Sequence, residues 1–133
     1  MYNLFYLHVW SQGEHDSDTQ YDSLNRSAIN IGLELYDWPD DDLFQSWSEF
    51  FVTNRLASKL SCSGLTGFEL SPVARVSKAF GFSNMYPDFE TDKYYHLKLN
   101  RNKGQSDLSL WNNSDLVVSS KALSFLRKNN VLQ

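Results

Sequence analysis

The densest set of chemistry-bearing side chains in this 133-residue chain is Glu14-His15-Asp16-Ser17-Asp18, three carboxylates alternating with an imidazole and a hydroxyl. Alternating acids can hold a hard cation, but this run lacks the glycine and the closing glutamate of a calcium loop. It also lacks the ligand spacing of a zinc site. It reads as a solvated acidic loop, and no metal or other cofactor is expected. The remaining histidines, His8 and His96, fall in strand-like segments, where a half-buried, hydrogen-bonded imidazole is the ordinary outcome. A small metal-dependent enzyme would have to combine one of them with the Glu14–Asp18 loop.

Other patterns are weaker. Gly64-Leu65-Thr66-Gly67 is too short to cradle a phosphate and follows a helix where a cradle should precede one. Asp40-Asp41-Asp42 places carboxylates side by side, but acids in a turn ordinarily cap the next helix. No nucleophile elbow, P-loop or dinucleotide fingerprint occurs. Cys62 stands alone, which excludes an intrachain disulfide. It reads as a small, semi-buried helix residue. The chain is therefore expected not to be an enzyme, and no catalytic residue is assigned.

The elements that would position these residues follow from periodicity. Residues 2–10 are aromatic and β-branched and predict a strand buried on both faces. Residues 11–25 predict a polar loop. Ile29, Ile31, Leu33 and Leu35 alternate and predict a strand over 28–36. A turn at 37–42 leads to Leu43, Phe44 and Trp47, which fall at helical spacing. Glu49 to Val52 predicts a strand that ends at an N-cap, Thr53, followed by a helix with Leu56, Ala57 and Leu60 on one face. Gly64 stands where a left-handed residue ends the helix. An extended run from Leu65 to Val73 follows, with Pro72 marking an edge.

The same unit returns 66 residues later. Asp115 to Val118 is the strand, Ser119 the cap, Ala122, Leu123 and Leu126 the helix face, and Asn129 or Asn130 the left-handed terminator. Two readings fit equally, an internal duplication or convergence on a common local solution. Between the units, residues 73–80 predict a short helix ended by Gly81, residues 86–89 a turn, residues 93–100 a strand and residues 108–111 another. The expected fold is α+β, one domain over residues 1–133, with a mixed or antiparallel sheet of about five to seven strands and two to four short helices.

Composition narrows the function class. Aromatic residues make up 15% of the chain, enough for a sizeable core and also typical of protein interfaces. The N-terminal residues do not read as a signal peptide and no apolar run approaches the length of a membrane span, so a cytoplasmic protein with no membrane partner is expected. Charge is unevenly spread: net −9 over residues 1–53 and +5 over residues 54–133. An acidic half repels nucleic acid and attracts basic proteins.

The runs Phe51-Val52-Thr53-Asn54-Arg55-Leu56-Ala57-Ser58-Lys59-Leu60 and Gly64-Leu65-Thr66-Gly67-Phe68-Glu69-Leu70-Ser71-Pro72-Val73 resemble a family of small bacterial immunity proteins from polymorphic-toxin and contact-dependent growth inhibition systems. The resemblance covers about a quarter of the chain and rests on cap, turn and core residues. It implies binding and neutralisation of one cognate toxin domain, with no contact residue carried over. Many such toxins are nucleases with basic clefts, which the acidic half would suit. The contact candidates from charge and aromaticity are Glu14, Asp16, Asp18, Tyr21, Tyr36, Asp37, Trp38, Asp40, Asp41 and Asp42. Trp47, Phe50, Phe51 and Trp111 could supply a further interface if exposed. The alternative is an adaptor whose partner is not a toxin.

Overall fold

The computed structural model describes residues 4–7, 9, 13–21, 28–36, 41–79, 81–86, 93–101, 105–112 and 114–131. It is an α+β fold, mostly strand. The first third carries β1 (Leu4–Leu7), β2 (Gly13–His15), β3 (Gln20–Tyr21), β4 (Ala28–Ile29) and β5 (Gly32–Leu35). The middle carries β6 (Leu43–Ser46), β7 (Glu49–Thr53), α1 (Asn54–Ser61), β8 (Phe68–Pro72), β9 (Arg75–Lys78) and α2 (Phe82–Met85). The chain closes with β10 (Tyr94–Leu99), β11 (Leu108–Trp111), β12 (Asp115–Ser119) and α3 (Ser120–Lys128).

A four-stranded antiparallel sheet, in the order β6-β7-β10-β8, forms the centre. β6 and β7 carry buried side chains on both faces, because both are covered there, while the edge strand β8 leaves Glu69, Ser71 and Pro72 exposed. On one face Leu43, Phe50, Val52, Leu97 and Leu99 pack with the apolar stripes of α1 and α3 and with the sheet β1-β12-β11. On the other face Phe44, Phe51 and Tyr94 pack with Ile31, Leu33 and Leu35 of the sheet β2-β5-β9 and with Phe82 of α2. In that second sheet β9 runs parallel to β5 while β2 runs antiparallel to it. Gly67 allows the close approach that ties the loop after α1 to β11. Its φ is +98°, and a Cβ there would lie 2.0 Å from the carbonyl oxygen of Leu108.

The repeated unit is real in three dimensions and larger than its sequence signature. In each copy an aspartate precedes a β-hairpin that runs into a capped helix. Thr53 accepts the amide N–H of Leu56 (3.3 Å), and Ser119 accepts that of Ala122 (3.1 Å). The cap hydroxyls donate to Asp42 (2.5 Å) and Asp107 (2.8 Å), and the cap amides donate to the carbonyls of the same two aspartates (3.0 and 2.8 Å). Leu43 pairs with Val52 as Leu108 pairs with Val118. The two units also hold each other: Arg55 of α1 donates to the carbonyl of Asn129 at the end of α3, and Thr66, beyond α1, donates to Asp107.

Several expectations need correction. Leu43 to Ser46 is a strand, not a helix, because Phe44 and Ser46 face the second sheet while Leu43 faces the helices, which is a period of two. Residues 75–78 form a strand beside β5, and Gly81 begins α2 instead of ending a helix. The expected loop 11–25 contains β2 and β3. The strand expected over 28–36 breaks at Asn30, whose φ is +50°. β1 is an edge strand with Phe5 and Tyr6 exposed, not a strand buried on both faces. The expected five to seven strands become twelve segments among the described residues, several of two to four residues. Cys62 is exposed at the C-cap of α1. Gly64 is left-handed as expected but stands two residues beyond that cap, whereas Asn130 directly follows the cap of α3.

Candidate protein-binding surface

The ten contact candidates divide into those used inside the molecule and those left on its surface. Asp16 is internal. Arg75 donates to both of its carboxylate oxygens (2.9 and 3.0 Å), and Thr19 adds a third bond (3.0 Å). The bonds from Arg75 hold the Asp16 carboxyl below its ordinary pKa, against the desolvation that would raise it. Gly32 leaves the room: a Cβ there would lie 1.9 Å from the carboxylate. Asp42 is internal too. Partial burial pushes its pKa up, but bonds from Arg55 (2.5 Å) and Thr53 outweigh this, and the net shift is downward. Both arginines come from the basic part of the chain, so folding cancels part of the charge asymmetry seen in sequence.

Glu14, Asp18 and Glu34 have no ion-pair partner among the described residues. Glu14 and Glu34 lie directly opposite each other across β2 and β5. Their neighbours Gly13, Leu33 and Leu35 are buried, so the alternation sends both carboxylates outward. Like charges in that position repel and cost stability. Tyr36 is exposed, and Tyr21, also exposed, meets the His15 ring edge-on at 5.9 Å. Burial, and then the charge of Glu49, push the Tyr21 hydroxyl above its ordinary pKa. Asp41 is half-buried. Asp37, Trp38 and Asp40 lie outside the described residues, as does His8.

An open groove brings Glu14 and Tyr36 together with Val9, Gln45, Ser46 and Trp47. Trp47 heads the two-residue turn between β6 and β7 and is 78% exposed. Its φ is +57°, the left-handed region that a bulky side chain adopts only at a cost. Gln45 braces the turn: its side-chain amide donates to the carbonyls of Trp47 and of Ser114 in the neighbouring β11–β12 turn. Trp111, at the start of that turn, is exposed as well. Of the four residues named as a conditional interface, Phe50 and Phe51 are buried and the two tryptophans are not. Sequence gave Trp47 no helix face to leave, because its spacing from Leu43 and Phe44 read as helical; an apolar residue at a hairpin tip is the signal that would have found it.

A second polar cluster is buried. The Nε2–H of His96 donates to Oε2 of Glu49 at 2.6 Å, with both side chains below 10% exposure. His96 belongs to a strand and is hydrogen-bonded, as expected. His15 donates its backbone N–H to the Ser46 hydroxyl (3.2 Å), and its Nδ1 lies 3.1 Å from the same oxygen. A carboxylate that orients an imidazole is the geometry of a general base. Here the imidazole is almost wholly removed from solvent, and the pair ties β7 to β10. Among the described residues no group of three or more His, Cys, Asp or Glu side chains could hold a metal ion. No described helix is long and apolar enough to cross a membrane.

No family model, curated protein or solved structure matches the chain.

Proposed function

We infer that this protein is an immunity protein that binds and neutralises a cognate, basic toxin domain, and that it is not itself an enzyme. The observation that carries the reading is Trp47: a large aromatic ring held in water, on a left-handed backbone, in the same groove as Tyr36 and Glu14. Solvent-exposed tryptophan and tyrosine are the side chains that most often carry binding energy between proteins. Glu14 in that groove and Glu34 opposite it in the register, neither ion-paired among the described residues, favour a basic partner and speed its approach. The resemblance of residues 51–60 and 64–73 to immunity proteins supplies the toxin as the kind of partner. The two hairpin–helix units are, on this reading, a duplicated frame whose adjacent turns present Trp47 and Trp111. The frame would act in the cytoplasm, where an incoming toxin reaches its target.

Co-expression with the toxin domain encoded beside this chain tests the proposal. Restored growth together with a stable co-purified complex is the expected result. Toxicity that persists in the presence of the folded protein would overturn it. A stable complex with a harmless neighbour would favour the adaptor reading.

A further inference from the structure

The groove described above selects for more than positive charge. It has two exposed aromatic rings, Tyr36 and Trp47, and the Glu14 carboxylate, with Glu34 opposite Glu14 in the strand register. Directly opposed side chains on one face of a sheet sit roughly 5 Å apart at Cβ. Both side chains therefore leave the same face from neighbouring positions, and one cation placed between them would be drawn to both carboxylates. A lysine ammonium is a compact, strongly hydrated charge. A guanidinium is planar, stacks on an aromatic face, and carries five donors in a fork that can serve two carboxylates at once. The ring faces and the paired acids together match the second ion and not the first.

We propose that this groove is an arginine-recognition site, in which an arginine side chain of the partner stacks on Trp47 and donates to Glu14, with Glu34, opposite Glu14 in the strand register, as a second acceptor. This rests on the reading of the same face as a binding surface and names the chemistry of what it takes. Trp47 is then kept on a strained turn because the turn aims its ring at the guanidinium.

The test is an NMR titration of the whole protein with blocked tri-arginine, tri-lysine and tri-citrulline peptides. The indole N–H signal of Trp47 is assigned by its absence in Trp47→Asn. The expected result is a saturable shift of that signal with tri-arginine, at least 5-fold weaker binding of tri-lysine and none of tri-citrulline. E14Q combined with E34Q weakens tri-arginine binding at least 5-fold and leaves the rest of the spectrum in place. An unmoved Trp47 signal, equal responses to arginine and citrulline, or no effect of the double substitution would overturn the proposal. Failure here is separable from failure of the immunity reading. Toxin neutralisation that survives E14Q/E34Q and Trp47→Asn leaves immunity standing and removes the arginine site. Arginine selectivity without any neutralisation does the reverse.

Discussion

The two hairpin–helix units solve the same folding problem and differ at one position that folding does not explain. Both begin with an aspartate that anchors the cap hydroxyl, and both end in a short helix whose apolar stripe joins one core. In both, the residue that immediately follows the first strand has a positive φ: +57° at Trp47 and +53° at Asn112. The second unit fills that position with asparagine, which tolerates the left-handed region. The first unit fills it with tryptophan, which does not, and exposes the ring to water. The tryptophan thus strains its backbone and buries little, and the proposed binding role rests on that combination. The comparison singles out Trp47 against the matching position of a second hairpin–helix unit, whose turn is one residue longer.

The largest expected effects should leave the two units alike. Leu60→Ala and Leu126→Ala each remove a buried side chain from the shared core. Each is expected to cost about 3 kcal/mol in urea denaturation, with the pair equal to within about 1 kcal/mol. A large imbalance would mean that the helices do not share one core.

A nearly comparable effect should separate the units. Glu49 opens β7 and is buried against His96, whereas Asp115 opens β12 and is exposed. Glu49→Ala is expected to cost about 3 kcal/mol, since it leaves a buried imbalance of hydrogen bonds. Asp115→Ala should stay within about 0.5 kcal/mol. Equal losses would contradict the assignment of the His96–Glu49 pair as a structural tie between β7 and β10.

Smaller still are the caps. Thr53→Ala and Ser119→Ala should each cost about 1 kcal/mol. Their aspartate anchors add a pH dependence. Partial burial raises Asp42 and Asp107, and hydrogen bonds from Arg55 and Thr53, or from Ser119 and Thr66, lower them further than burial raises them. A carboxylate whose folded pKa lies below its unfolded value stabilises the fold fully above the unfolded value. That contribution disappears as pH falls through the lowered one. The same holds for Asp16, which Arg75 lowers. Stability should therefore fall as pH drops from about 5 toward 3. Asp42→Asn and Asp107→Asn should each flatten part of that decline. An unchanged acid limb in both variants would show that these carboxylates are not the groups being protonated.

The parts of this fold that sequence reveals are the parts decided locally. Thr53 and Ser119 precede apolar residues at helical spacing, and a hydroxyl cap needs nothing beyond its own first turn. Tyr95, Leu97 and Leu99 alternate because the sheet sends them all to one core. Where two long-range partners decide, sequence misleads. Leu43, Phe44 and Trp47 fit a helix and a hairpin equally, and the choice is made by pairing with Val52 and Phe51. Residues 75–78 become a strand because β5 offers them a parallel edge. The candidate surface was half legible: composition pointed to Glu14 and Tyr36, which remain exposed. It also pointed to Asp16 and Asp42, which salt bridges from Arg75 and Arg55, 59 and 13 residues away, turn into internal supports.

The central claim is that Trp47 is held where it is for binding and at some expense to folding. Trp47→Asn, the residue its own structural repeat uses, tests it with no partner in hand. Urea denaturation at pH 7 should show stability unchanged or raised by up to about 1 kcal/mol, as backbone strain is relieved and little packing is lost. A loss of about 1 kcal/mol or more would show that the ring supports the fold and would contradict the account.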